Sequence, residues 1–321
     1  MRQKPLFEVI VVATMSAGKT TVINALIGKE LLHSANEATT ATITRIRDKD
    51  NECNFSAKAY SYQNQLVFEQ EIVDADTLRA WNADEQIKFI DLVGDIQALQ
   101  NDFADLVVYD TPGPNNSQDD NHEALTMEAI NDGNYGLILY VLNATQLGVT
   151  DDHSLLEKIK ATLDKDSHKE IVFLLNKADS LDEEKDEKLQ DVVTRAEQYL
   201  SNIGFHQPVI IPTVASYALA GYKMLNGKSL TRSERADMRQ LLNNSENNQF
   251  ILTSTISQEE KEKIFNTIQK YSAHHFLDSK SEDWVLISDQ CYTTRRRFVR
   301  AILRTGFGVI QHILQRKLSN I

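Results

Sequence analysis

One loop limits the folds open to this 321-residue chain more than any other feature. The apolar run Phe7–Val12 leads directly into the loop Ala13-Thr-Met-Ser-Ala-Gly-Lys-Thr20, and a helical pattern over Thr20–Ile27 ends near Gly28. In such a strand–loop–helix unit, backbone N–H groups of the loop and of the helix N-terminus point at a phosphate. The loop therefore predicts a phosphate-binding α/β fold, with Ala13 standing where the first glycine is usual.

Further short runs of apolar and β-branched residues alternate with helical patterns, which is typical of a mainly parallel sheet with crossover helices on its faces. These runs are Ala104–Tyr109, Gly136–Leu142, Glu170–Leu175 and Pro208–Pro212. A more alternating stretch, Cys53–Ile72, predicts a hairpin that flanks the sheet. Helical spacing of apolar residues also marks Leu155–Leu163 and Asp186–Leu200.

The character of the sequence changes after residue 217, which divides the chain into three predicted parts. Residues 1–217 form the α/β core, and residues 218–288, which are polar and helical in pattern, form a helical insertion or cap. Residues 289–321 form C-terminal helices that either pack on the core or leave it, with a break at Thr305-Gly306. After that break, one helical face would carry Phe307, Ile310, Ile313, Leu314 and Leu318.

The phosphate loop and a second strand end together predict a site for a phosphate chain and a metal ion. The Lys19 ammonium can reach β- and γ-phosphate oxygens, and the Thr20 hydroxyl can bind Mg²⁺. Asp110-Thr-Pro-Gly113 follows the run Ala104–Tyr109, so Asp110 can hold Mg²⁺ through a water molecule and the Gly113 amide can contact the γ-phosphate. The loop residues expected to contact the nucleotide are Met15, Ser16, Ala17, Gly18, Lys19, Thr20 and Thr21.

A third strand end predicts which base is bound. In Asn176-Lys-Ala-Asp179, the Asp179 carboxylate can accept hydrogen bonds from the ring N–H and the exocyclic amine of guanine. Adenine offers neither donor there and would leave a desolvated carboxylate unpaired, which costs several kcal/mol. Lys177 would lay its aliphatic stem along the base. In Val214-Ala215-Ser216, the backbone amide of Ala215 or Ser216 is expected to contact the guanine oxygen.

A threonine-rich segment between the phosphate loop and Asp110 predicts a switch residue. In Asn36-Glu-Ala-Thr-Thr-Ala-Thr-Ile-Thr44, Thr40 lies twenty residues beyond Thr20, and its hydroxyl could complete the magnesium shell and sense the γ-phosphate. Thr39 competes with it for this role. With the motifs in this order, each at a strand end, the chain is expected to be an enzyme that hydrolyses GTP to GDP and phosphate.

The sequence also resembles the GTPase domain of bacterial dynamin-like proteins. The resemblance lies in residues 14–28 (Thr-Met-Ser-Ala-Gly-Lys-Thr-Thr-Val-Ile-Asn-Ala-Leu-Ile-Gly), 36–46 (Asn-Glu-Ala-Thr-Thr-Ala-Thr-Ile-Thr-Arg-Ile), 110–113, 139–145 and the Thr305-Gly306 helix. It implies that Ser16 helps to order the attacking water and a charge-compensating K⁺ or Na⁺ ion. It further implies a nucleotide-dependent homodimer in which two GTPase domains meet across their nucleotides. Ser16, together with Lys19 and Thr40 from the motifs above, is therefore predicted to be catalytic.

The residue after Asp110-x-x-Gly gives an independent reason to expect that a single domain cannot position the attacking water by itself. Ras-type enzymes place a water-orienting Gln there, whereas this chain has Pro114.

A long helical stalk, usual in the family, is not apparent, so the chain is either an excised GTPase domain or a member without a stalk. Membrane contact is expected only through missing or unrecognised regions.

Charge and composition narrow the partners. The net charge is −12, with residues 289–321 at +6 and the remainder at −18, which argues against general binding to nucleic acid. Two widely separated cysteines and the lack of a long apolar run predict a cytoplasmic protein that is at most peripheral at a membrane. Two alternatives remain open: a GTPase that acts on ribosomes or tRNA, and a GTP-gated interaction module with little turnover.

Overall fold

The computed structural model describes residues 4–14, 16–33, 42–52, 54–96, 99, 104–112, 120–133, 135–166, 168–181, 187–243, 248–270, 284–288 and 291–320. Within these ranges the strands are β1 (Leu6–Ala13), β2 (Ile43–Asp48), β3 (Ser56–Ser61), β4 (Leu66–Gln70), β5 (Ile87–Gly94), β6 (Asp105–Asp110), β7 (Leu137–Asn143), β8 (Glu170–Asn176), β9 (Ile210–Pro212), β10 (Trp284–Ser288) and β11 (Cys291–Thr294). The first nine form one sheet in the order β4-β3-β5-β2-β6-β1-β7-β8-β9, and the last two form a separate hairpin.

The helices flank this sheet. They are α1 (Lys19–Ile27), α2 (Ala75–Asn82), α3 (Asp120–Asp132), α4 (Thr150–Leu163), α5 (Leu189–Ile203), α6 (Ala215–Leu225), α7 (Arg232–Asn243), α8 (Gln249–Thr253), α9 (Gln258–Lys270), α10 (Arg295–Ile302) and α11 (Gly308–Ser319). A short 3₁₀ turn over Ala178–Ser180 follows β8, and a π-helical turn over Leu303–Phe307 joins α10 to α11.

The sheet has a parallel centre and a mixed edge. Strands β6, β1, β7, β8 and β9 run parallel to one another, whereas β2 is antiparallel to β6 and parallel to β5. The antiparallel pair β3 and β4 forms the hairpin predicted within Cys53–Ile72. The predicted fold class, a mainly parallel α/β sheet of the P-loop GTPase type with flanking helices, is therefore confirmed.

Both faces of the central strands are buried, which explains why their sequences are nearly continuous apolar runs. On β1, Val9 and Val11 pack into a hydrophobic cluster that includes α1, α6, α10 and α11. The alternate residues Ile10 and Val12 pack against α4 and α5 on the other face. Because these strands run parallel, their carboxyl ends lie at the same edge of the sheet. The loops after β1, β6 and β8 therefore meet at that edge.

The C-terminal segment packs into the first of these clusters. Its five predicted apolar residues, Phe307, Ile310, Ile313, Leu314 and Leu318, are all buried. Two cations of the basic tail pair with acidic residues elsewhere in the chain, Arg316 with Glu260 and Lys317 with Glu170. The predicted divisions at residues 217 and 288 remain predictions. None of the described helices is long and apolar enough to cross a bilayer.

Candidate functional site at the carboxyl edge of the sheet

The phosphate loop contains two residues with positive φ. Ser16 and Gly18 have φ values of 62° and 90°, and Lys19 begins α1 immediately afterwards. Positive φ is readily available to glycine, and at Gly18 a side chain is also excluded by space. A Cβ there would collide with the Asn176 side chain, which ties the glycine to the third strand-end motif.

Lys19 and Asp110 lie together at the ends of neighbouring strands. The Lys19 Nζ forms an ion pair with Asp110 Oδ1, and the two side chains are only 12% and 16% exposed. Val11 of β1 is in register with Asp110 of β6, and the Thr111 hydroxyl donates to the Val11 carbonyl at 2.9 Å. This geometry places a cation for phosphate oxygens beside a carboxylate of the type that binds Mg²⁺.

A buried amide joins three segments of the site. Asn176 is 3% exposed, and its Nδ2 donates to the Ala17 carbonyl at 2.9 Å. Its Oδ1 accepts from the Ala215 backbone N–H at 3.1 Å. The phosphate loop, the turn after β8 and the loop before α6 are therefore connected by one side chain, and the predicted phosphate and base residues lie at the same edge of the sheet.

The turn that carries Asp179 presents it to solvent. Lys177 adopts a left-handed conformation with φ 63°, after which the 3₁₀ turn exposes Asp179. Partial burial nevertheless raises the pKa of the Asp179 carboxyl above its ordinary value, because nearby protein disfavours the charge. Burial, followed by the charge of Asp179, raises the pKa of the α6 residue Tyr217 to about 12.

The remaining predicted residues divide into two groups. Ser16 and Ser216 are exposed, Thr20 and Thr21 in the first turn of α1 are half-buried, and Ala17 and Ala215 are buried. Met15, Thr39, Thr40 and Gly113 lie outside the described residues.

Thr20 and Asp110 supply the oxygen donors that Mg²⁺ prefers, so the residues that are described fit this ion. The individual roles of the site residues remain predictions.

Sequence reasoning missed a buried carboxylate behind the phosphate loop. Asp152, in the first turn of α4, is 2% exposed, and its Oδ1 accepts from the Thr14 hydroxyl at 2.7 Å. The Tyr140 hydroxyl donates to the same oxygen at 2.8 Å. An acidic residue in a first helical turn is common for helix stability alone, so the sequence carried no signal for this contact.

Comparison with known proteins agrees with this arrangement. The sequence model described as the dynamin family matches residues 9–178, which is more than half of the chain. The match extends from the first strand to the turn at Ala178 and so includes the phosphate loop, Asp110 and Asn176. No curated protein matches the chain.

Two similar solved structures come from work on an oligomerised bacterial dynamin pair that senses and tethers membranes. Each has a TM-score of 0.51 and 16% sequence identity to the chain. They cover 82% and 98% of this chain, which in turn covers 44% and 42% of theirs. The chain thus spans less than half the length of these proteins, and at this identity the likeness shows the shared fold. On the family match, the chain belongs to the dynamin family of GTPases.

Proposed function

We propose that this chain hydrolyses GTP to GDP and phosphate with Mg²⁺, and that pairing of two GTPase domains accelerates the reaction. The contact that supports this most strongly is the double hydrogen bond of Asn176. It ties the phosphate loop to the end of β8, directly before the turn that carries Asp179, which supports the binding of one nucleotide by both. The roles below follow from the chemistry of the side chains at that edge.

The phosphate end of the site would be held by Lys19, Thr20 and Asp110. Mg²⁺, when bound with the nucleotide, would neutralise charge on the phosphate oxygens. Lys19 would exchange its ion pair with Asp110 for phosphate oxygens, while Asp110 and Thr20 hold the metal ion. Thr40, or its neighbour Thr39, and the Gly113 amide would respond to the γ-phosphate.

The base end would be selected by Asp179. Its carboxylate would accept from the two guanine donors, and Lys177 would cover one face of the ring. The Ala215 N–H already donates to Asn176, so we assign the contact with the guanine oxygen to the Ser216 amide. Ser216 is exposed in the first turn of α6, where helix N–H groups lack partners within the helix.

The catalytic step needs a source of water positioning, because Pro114 stands where Ras-type enzymes carry Gln. Ser16 is exposed on the phosphate loop, where a second domain or a K⁺ or Na⁺ ion could approach it. The two similar structures are of an oligomerised dynamin pair, which supports self-association here, and we propose that the nucleotide controls it. We propose a cytoplasmic protein whose contact with a membrane would be peripheral.

A turnover assay across a dilution series tests this proposal. GTP hydrolysis per molecule should rise with protein concentration and with K⁺ or Na⁺. Lys19→Ala should abolish it because the phosphate oxygens lose the positive charge of the lysine. Lys228→Ala, at an exposed lysine between α6 and α7, is the matched control. Turnover that stays flat on dilution would exclude activation by dimerisation. GTP binding without turnover at any concentration would favour an interaction module instead.

A further inference from the structure

The loop between β9 and α6 is held on two sides. On one side it contacts the end of β8: the Thr213 N–H donates to the Leu175 carbonyl at 2.9 Å, and the Ala178 N–H donates to the Thr213 carbonyl at 3.3 Å. These bonds connect the loop to the turn that carries Asp179. On its other side, the loop contacts the C-terminal segment, which contains none of the nucleotide-binding motifs.

That second support is one backbone carbonyl in the C-terminal segment. The Thr305 carbonyl accepts from the Thr213 hydroxyl at 2.9 Å and from the Val214 N–H at 3.0 Å. Thr213 and Val214 have no exposed surface, so both bonds are shielded from water. A carbonyl that satisfies two buried donors is costly to remove, because each donor would lose its partner.

The turn that presents this carbonyl has an unusual shape. It lies in the π-helical turn between α10 and α11, where Gly306 departs from helical geometry with φ 92°. A Cβ at Gly306 would collide with the Pro212 carbonyl, so the two backbones approach as closely as only glycine permits. Leu303 and Phe307 on either side are 2% and 0% exposed, which anchors the turn in the core.

We infer that the Thr305 carbonyl, held by this turn, positions the loop whose Ser216 amide contacts the guanine oxygen. The C-terminal helix pair is then part of the base-selecting apparatus, and Thr213, Thr305 and Gly306 are positioning residues. This inference rests on the proposed function. Its physical basis is preorganisation: a loop that is already held pays less ordering entropy when the base binds.

Thr213→Val tests the inference because it removes the hydroxyl donor and keeps the side-chain shape. It should weaken GDP binding about fivefold, the effect of one net hydrogen bond. Thr213→Ser, which keeps the donor, should bind GDP as the unmodified chain does. With 6-thio-GDP, whose sulfur is a poor acceptor, Thr213→Val should weaken binding by less than about twofold, because the amide it positions contributes little there.

A merely structural role for Thr213 would give a different pattern. If Thr213→Val weakened GDP and 6-thio-GDP equally, or weakened neither, the inference would be overturned. If the unmodified chain failed to bind GDP at all, the proposed function would fail before this comparison was reached. The two failures are therefore distinguishable in one set of titrations.

A pair of glycine variants gives a second test. Gly306→Ala should weaken GDP binding by at least about tenfold, because its Cβ displaces the Pro212 backbone. Gly227→Ala is the matched control, since Gly227 also has a positive φ, of 69°, but a Cβ there meets no atom within 4 Å. Equal GDP affinity in the two variants would overturn the inference.

A measurement on the unmodified chain does not depend on any variant folding. GDP should slow amide hydrogen exchange over residues 303–308 as well as at Val214, because binding stabilises a loop that is bonded to that turn. Protection at Val214 with no change at residues 303–308 would show that the turn is not coupled to the base site, and would overturn the inference.

Discussion

At the scale of single residues, the site depends on a buried amide with two hydrogen bonds. Asn176 donates to the phosphate loop and accepts from the backbone at the start of α6, so one side chain connects the two segments. Asp179, three residues further on, is exposed and free to meet a base. One short motif thus supplies both the structural link and the carboxylate that we propose distinguishes bases.

Asp179→Asn should change which base is preferred. The amide of Asn can accept from the ring N–H and donate to a carbonyl, which matches xanthine, whereas the exocyclic amine of guanine would face a second donor. We expect GDP affinity to fall at least about a hundredfold and xanthosine diphosphate to bind more tightly than GDP. Competition titrations with both nucleotides measure this change.

Asp191→Asn, in the first turn of α5, is a suitable control for the loss of one acidic residue. It should leave the preference for GDP as it is in the unmodified chain. If Asp179→Asn retained that preference as well, Asp179 would not be the residue that reads the base.

Asp179 should also make GDP binding depend on pH. Burial raises the pKa of its carboxyl above the ordinary value of 3.8, whereas two guanine donors would favour the charged form and lower that pKa again. Binding at a pH near the raised pKa should therefore release a proton. Affinity should be highest above the raised pKa and fall as the pH drops through it.

Calorimetric titrations with GDP in two buffers of different ionisation enthalpy would report this proton. In Asp179→Asn, which has no group to titrate at this position, the released proton should disappear. Equal proton release in the variant would mean that another group is responsible for the pH dependence.

At the scale of elements, packing between α6 and α10 depends on a missing side chain. A Cβ at Gly221 would lie 2.5 and 2.6 Å from Cδ1 and Cγ1 of Ile302, which has no exposed surface. Because χ1 of a β-branched residue in a helix is restricted, Cγ1 cannot easily move aside. This glycine allows α10, before the C-terminal turn, to lie close to α6, which follows the loop proposed to contact the base.

Gly221→Ala should therefore destabilise the protein by about 1–3 kcal/mol. The clash outweighs the gain in helix propensity of about 1 kcal/mol that Ala has over Gly. Urea unfolding measures the change. In a double-mutant cycle with Ile302→Ala, which removes both clashing atoms, most of the cost should disappear. Additive costs in that cycle would show that the two helices do not meet through this pair.

Strands whose residues are explained by burial alone were predicted from the sequence. Strands whose charged residues are explained only by a neighbouring strand were not. Strands β1, β6, β7 and β8 are predominantly apolar and were predicted within a residue or two. Strands β2 and β5 were not, because charged residues interrupt them. Arg45 of β2 is in register with Asp91 of β5 and forms an ion pair with it, and this compensation is visible only once the strands are adjacent.

The same limit applies to the site. Lys19, Asp110 and Asn176 follow apolar strands in a fixed order, so local sequence predicted that they would converge. The contribution of Thr305 is a backbone carbonyl that meets Thr213 across 92 positions of the chain. The side chain at position 305 does not encode that contact. Gly306 was recognised as a helix break, but what its backbone approaches could not be read from sequence.

At the scale of the whole molecule, one hydrophobic cluster includes both ends of the described chain. It contains Val9 and Val11 of the central strand, α1 after the phosphate loop, and Leu314 and Leu318 of α11. The phosphate loop and the C-terminal helices therefore share a core, although residue 217 was the predicted end of the nucleotide-binding part. The physical question is whether they also unfold together.

Leu314→Ala answers that question. Leu314 has no exposed surface, so the substitution should cost about 3 kcal/mol through lost burial and a cavity. If the shared cluster unfolds cooperatively, amide exchange at Val9 in β1 should accelerate by about 150-fold, the full equivalent of that loss. Leu252→Ala, at a residue 54% exposed, should change exchange at Val9 little. Acceleration confined to α11 would instead mean that the C-terminal helices open on their own, and the predicted boundary at residue 217 would then mark a real unit of folding.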